Sequence, residues 1–140
     1  MNYEEEKKRY ISFCGSYCHT CDWFTGKIRR TFSSSSAMLE QYGLNRFLAG
    51  KVHEGDFGTG LQMLAKSAIC SGCKAEVAKD PQEDRCGIRQ CCYGQGLDLC
   101  VECAEFPCEL LKTNTGVIRF HCIDNLMEIE EKGLQHWIDK

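Results

Sequence analysis

No run of about 18 apolar residues occurs in the sequence, so nothing in it reads as a membrane-spanning helix and no membrane partner is expected. The opening MNYEEEKKRY has no apolar stretch behind a basic start, which excludes a secretory signal there and makes the cytoplasm the expected location. Neither a repeated block nor a long low-complexity linker is present, and the 140 residues are read as one domain, 1–140. A net charge of −3 leaves no basic face for duplex nucleic acid, and the short basic GKIRRTF at 26–32 reads as a solvated turn. A phosphate-cradling loop is missing too, since GDFGTG lacks both the lysine and the preceding strand. No spacing of nucleophile, base and orienting group points to a hydrolase, so no catalytic residue is assigned. The alternation of strands and helices found in thioredoxin-like domains and barrels is absent. That counts against a dithiol enzyme at CHTC and against a radical cluster on Cys14, Cys18 and Cys21.

What the sequence has in abundance is cysteine, at twelve residues. These are counted within the 43% apolar fraction, so the core of Leu, Ile, Val, Phe and Met is thinner than that figure suggests and the fold needs a brace. In a reducing compartment the brace is a metal rather than a disulfide. Three C-x2-C pairs, Cys18 with Cys21, Cys70 with Cys73 and Cys100 with Cys103, have the spacing at which a tight turn aims two sulfurs at one ion about 2.3 Å away. Cys70, Cys73, Cys86 and Cys91 form the best-defined closed set, C-x2-C-x12-C-x4-C. Cys14, Cys18 and Cys21 together with Cys100, Cys103 and Cys108 supply a second, whose membership stays open. Cys92 points away from any ion that its neighbour Cys91 holds, and Cys122 falls on an apolar helical stripe, so both read as packing groups. His19 lies inside a cysteine pair, and His53, His121 and His136 show no ligand spacing. The ferredoxin run C-x2-C-x2-C-x3-C-P is absent, which favours zinc and leaves an iron–sulfur cluster as the alternative.

Along the chain, YISF at 10–13 is a short extended lead-in to the first cysteines. A serine cap near Ser36 starts a helix with Met38, Leu39, Tyr42, Arg46 and Phe47 at helical intervals, stopping near Gly50. HEGDFGTG reads as a glycine-rich loop, with Thr59 capping a second helix whose face is Leu61, Leu64, Ala65 and Ala68. Residues 70–108 carry eight cysteines among turn formers and cannot build a hydrophobic core of their own. From Val117 onward, Ile118, Cys122, Leu126 and Ile129 form one stripe, expected to pack on the first two helices, with Gly133 as its stop.

The motifs CGSYCHTC, CSGC, CGIRQCCYGQGLDLCVECAEFPCELL and NLMEIEEKGLQHWI, in that order from about Cys14 to Trp137, resemble the cysteine-rich bacterial and archaeal family catalogued as domain of unknown function 3795. The CxECxEFPCE segment is the most specific part. The resemblance implies a small cytoplasmic metal-binding protein without an established activity. It matches at Cys14, Cys18, Cys21, Cys70, Cys73, Cys86, Cys91, Cys100, Cys103 and Cys108, with Cys92 and Cys122 standing outside it. The expected architecture is mainly α: a small, irregular, cysteine-rich and zinc-ribbon-like domain of three to four helices packed around metal-binding loops. Two zinc ions, a non-enzymatic role and a protein partner are expected, with Asp98, Glu102, Glu105 and Glu109 as a candidate acidic surface. An iron–sulfur or dithiol redox protein is the alternative reading, and the oligomeric state is left open.

Overall fold

The computed structural model describes residues 1–75 and 84–140, so the part of the turn-rich segment at 76–83 lies outside the described residues. The chain is mainly helical, and the described residues fall into two compact units, Met1–His19 with Ser71–Lys140, and Thr20–Cys70. Nine α-helices are present among them, more numerous and shorter than the three or four expected. No helix among the described residues is long and apolar enough to cross a membrane.

The first unit opens with α1 (Tyr3–Tyr10), which the apolar pattern does not announce. Its stability is electrostatic: the Asn2 side chain accepts the Glu5 N–H at 3.3 Å, Glu4–Glu6 occupy the first turn, and Lys7–Arg9 the last, each sign where the helix dipole favours it. The unit continues with α5 (Gly87–Gln95), α6 (Glu109–Thr113), α7 (Thr115–Arg119), α8 (Cys122–Lys132) and α9 (Leu134–Asp139). Their shared core contains Ile11, Phe13, Ile88, Leu99, Leu111 and Trp137, joined by Cys92, Cys100 and Cys122. The segment expected to lack a core of its own thus supplies much of one, because its cysteines pack as small hydrophobes.

Cys122, Leu126 and Ile129 are buried at i, i+4 and i+7 on α8, as the stripe predicts, and Gly133 at φ 90° ends the helix. Ile118 does not join them. The chain breaks between α7 and α8 at His121, a non-glycine residue in the left-handed region at φ 53°, and the break turns Val117 inward and Ile118 out. The stripe shares its buried cluster with Ile11, Phe13, Leu99 and Leu111, all of its own unit.

In the second unit α2 (Lys27–Gln41) starts nine residues before Ser36, behind Gly26, whose φ of 78° serves as a left-handed N-cap. The basic GKIRRTF is therefore a helix start rather than a turn, though its charged residues remain exposed. A single turn, α3 (Asn45–Leu48), leads to α4 (Glu54–Ala65), so all of HEGDFGTG after His53 is helix and Thr59 is not its cap. Three glycines weaken that helix by roughly 1 kcal/mol each relative to alanine, and packing on α2 overrides the propensity. At Gly58 a Cβ would already lie 3.9 Å from Leu39 Cδ2.

Candidate metal centre

Ile11 and Tyr17 form an isolated antiparallel bridge that closes a tight turn. Within it the Ser12 N–H donates to the Ser16 carbonyl at 2.8 Å, the Gly15 N–H to the Ser12 carbonyl at 3.1 Å, and the Ser16 N–H to Ser12 Oγ at 2.8 Å. Such a turn requires φ 104° at Gly15, a conformation that glycine alone adopts at low cost. The tip is seated on the start of α8, where Asn125 Nδ2 donates to the Gly15 carbonyl at 2.9 Å. The turn thereby brings Cys14 Sγ to 3.9 Å from Cys122 Sγ, with Ser12 Oγ 3.3 Å from the first sulfur and Ser16 Oγ 3.3 Å from the second. The Cys122 thiol beside Cys14, helped by Ser12 and Ser16, holds Cys14 well below the ordinary thiol range, at about 6, although burial opposes it. Cys122 is correspondingly pushed up by its contact with Cys14 and by burial.

A second pair forms where α5 meets the 3-10 turn Cys100–Glu102. The Cys100 N–H donates to the Phe13 carbonyl at 2.8 Å, and Glu102 fixes the turn by accepting the Asp98 and Leu99 N–H groups at 2.8 and 3.0 Å. Cys92 Sγ then lies 3.2 Å from Cys100 Sγ, both buried. The contact lowers Cys92, assisted by the charge of Lys74, and raises Cys100, to which burial and the charges of Cys14 and Cys108 add. Lys74 stands 4.9 Å over the Phe13 ring and donates to the Lys7 carbonyl at 2.6 Å.

Adjacent on α5, Cys91 and Cys92 do point apart, Cys91 to the surface and Cys92 into the core. The Gln95 side chain links two surface sulfurs, its Nε2 3.1 Å from Cys91 Sγ and its Oε1 3.9 Å from Cys103 Sγ. Arg89 grips Asp84 with two bonds of 2.7 Å and donates to the Cys73 carbonyl at 3.1 Å, while Asp84 accepts the Cys86 N–H at 2.9 Å. One part-buried ion pair therefore sets the backbones of Cys73 and Cys86. Cys108 is half-buried at the start of α6, Cys18 is buried at the 3-10 turn Cys18–Thr20, and Cys21 and Cys70 belong to the second unit.

Among the described residues no three His, Cys, Asp or Glu side chains form a group that could hold an ion; the sulfurs meet in pairs. The donors nevertheless suit a thiophilic metal, being soft thiols in a low-dielectric core with neighbours placed to support a thiolate. Cys92 and Cys122, read from sequence as packing residues, are indeed buried, yet each also touches a second sulfur. In the acidic run, Glu102 is occupied with capping, Asp98 lies 3.8 Å from Lys7, and Glu105 and Glu109 are exposed.

A family profile described as Protein of unknown function (DUF3795) matches residues 10–113, a span that ends before α7 and excludes Cys122. Neither a curated protein nor a solved structure matches the chain.

Proposed function

The chain belongs to the family described as Protein of unknown function (DUF3795), and from that premise we propose that it is a zinc-binding, non-enzymatic module, organised by cysteine-held metal and presenting a surface to a protein partner in the cytoplasm. One observation carries the metal reading. A tetrahedral thiolate site with Zn–S bonds of about 2.3 Å sets its sulfurs about 3.8 Å apart, and Cys14 and Cys122 stand at 3.9 Å, far beyond the ~2.05 Å of a disulfide. Cys14 with Cys122 is the pair that would hold metal first, whereas Cys92 and Cys100, 3.2 Å apart, stand closer than that spacing, and Cys100 joins the remaining donors. Cys18, Cys21, Cys70, Cys73, Cys86, Cys91, Cys103 and Cys108 are the donors from which the sets would be completed. Bound zinc supplies a cross-link with no open coordination position, which fits a structural rather than a catalytic role. The chain's own groups do the positioning: Ser12 and Ser16 hydrogen-bond to the first pair, and Asp84 with Arg89 fixes the chain at Cys73 and Cys86.

Elemental analysis of protein purified without oxygen tests this reading. About two zinc ions per chain are expected, in colourless protein. Stoichiometric iron with acid-labile sulfide, or a folded chain without metal, would replace it with a redox or a metal-free role.

A further inference from the structure

The end of α5 and the 3-10 turn at Cys100 hold two sulfurs in direct contact. Cys92 Sγ lies 3.2 Å from Cys100 Sγ, and the two residues are only 3% and 7% exposed. The spacing is shorter than the ~3.8 Å that one tetrahedral zinc would set between its sulfurs, and shorter than the 3.9 Å between Cys14 and Cys122. A further approach of about 1.2 Å would bring the two sulfurs to the ~2.05 Å of a covalent bond. The backbone builds this contact. The Leu97 N–H donates to the Cys92 carbonyl at 3.0 Å, closing α5 through Gly96, which sits in the left-handed region at φ 70°. The Cys100 N–H donates to the Phe13 carbonyl at 2.8 Å and the Cys100 carbonyl accepts the Cys103 N–H at 3.0 Å, so the strand of chain from which the second sulfur projects is fixed as well. The surface sulfurs Cys91 and Cys103 meet the Gln95 side chain instead.

We propose that Cys92 and Cys100 are a modification site, oxidised by a hydroperoxide to a reversible disulfide. Whichever thiol reacts first, its sulfur takes one peroxide oxygen as the O–O bond breaks, giving a sulfenic acid and releasing water from hydrogen peroxide or an alcohol from an organic hydroperoxide. The other sulfur then attacks it: the S–S bond forms, the S–O bond breaks, and a water leaves with the remaining thiol proton. In sum two thiols give up two electrons and two protons, and one hydroperoxide is reduced. Contact between the sulfurs favours this second step, because the sulfenic acid meets a thiol before it meets another peroxide. Hydrogen peroxide is scarcely larger than water and reaches the pair as the last turn of α5 opens locally. The partners are eight positions apart, so the bond constrains the unfolded chain little and acts as a switchable link rather than a brace. It also withdraws Cys100 from the metal donors; that consequence, unlike the bond itself, rests on the zinc reading.

Differential alkylation of the full, unaltered chain tests this. Protein purified without oxygen, its zinc content measured, receives about one equivalent of hydrogen peroxide. Free thiols are then capped with a light reagent in denaturant, disulfides are reduced, the released thiols are capped with the heavy form, and peptide fragmentation assigns the label residue by residue, which separates Cys92 from Cys91. Heavy label is expected on Cys92 and Cys100 in equal amounts, each at least about fivefold above any other cysteine. Treatment with a dithiol reductant after the peroxide should remove it. Heavy label that enters Cys91 with Cys103, or Cys14 with Cys122, ahead of this pair overturns the proposal, as does sulfinic acid at Cys92 or Cys100 in place of the bond. The zinc content keeps the two readings apart: the bond in a chain without zinc upholds this proposal and removes the zinc, whereas zinc in a chain that fails to form the bond does the reverse.

Discussion

Replacing Gly15 by alanine lowers the stability of the first unit by roughly 3–5 kcal/mol, the sum of two independent penalties. The backbone at this position has φ 104°, which an L side chain rarely adopts. Space is also lacking. A Cβ there would lie 2.7 Å from the Cys122 carbonyl oxygen and 2.8 Å from Leu126 Cγ, a backbone atom and a fully buried leucine, neither of which can swing aside. Relief would require the turn to leave α8, losing the Asn125 bond and the approach of Cys14 to Cys122. Gly94, inside α5 with nothing within 4 Å of its Cβ position, makes the contrast. Gly94→Ala is expected to stabilise by about 0.5–1 kcal/mol through helix propensity. Urea midpoints for both variants, at fixed metal loading and with unchanged m-values, check the pair of signs. A Gly15→Ala protein as stable as its parent would mean that the turn does not sit on α8.

On the proposed zinc reading, removing metal from the reduced protein is expected to have a larger effect still. Structural zinc contributes apparent folding energies on the order of 10 kcal/mol in small domains, because the thiolate site does not exist in the unfolded chain. Here the first unit has an apolar core as well, so residual helix persists, but the cooperative melt should be lost and then return on adding zinc, not magnesium. Thermal scans by circular dichroism, with a thiol reductant present to prevent adventitious disulfides, follow both steps. Superimposable scans with and without metal would remove the brace from the account.

Much of the helical content was legible in the sequence, and the misses share a cause. α8 was readable because Cys122, Leu126 and Ile129 repeat at helical intervals and Gly133 closes the run. α1 was not, since caps and charges stabilise it rather than an apolar stripe. The starts of α2 and α4 were misplaced because a serine run imitates a cap and a glycine cluster imitates a loop, whereas packing between the two helices decides both. At the candidate centre the opposite directions of Cys91 and Cys92 followed from adjacency. The partners of the buried sulfurs did not: Cys14 and Cys122 are 108 residues apart and meet only because the Gly15 turn seats on α8. Local spacing does not reach pairs that a core makes.

The central claim is that buried cysteine sulfurs of this chain hold zinc. X-ray absorption at the zinc edge, on protein purified without oxygen and without added metal, tests it most directly. The account predicts zinc in stoichiometric amount with a first shell of sulfur alone at about 2.3 Å. A shell of nitrogen and oxygen at about 2.0–2.1 Å, or no stoichiometric zinc at all, would contradict it.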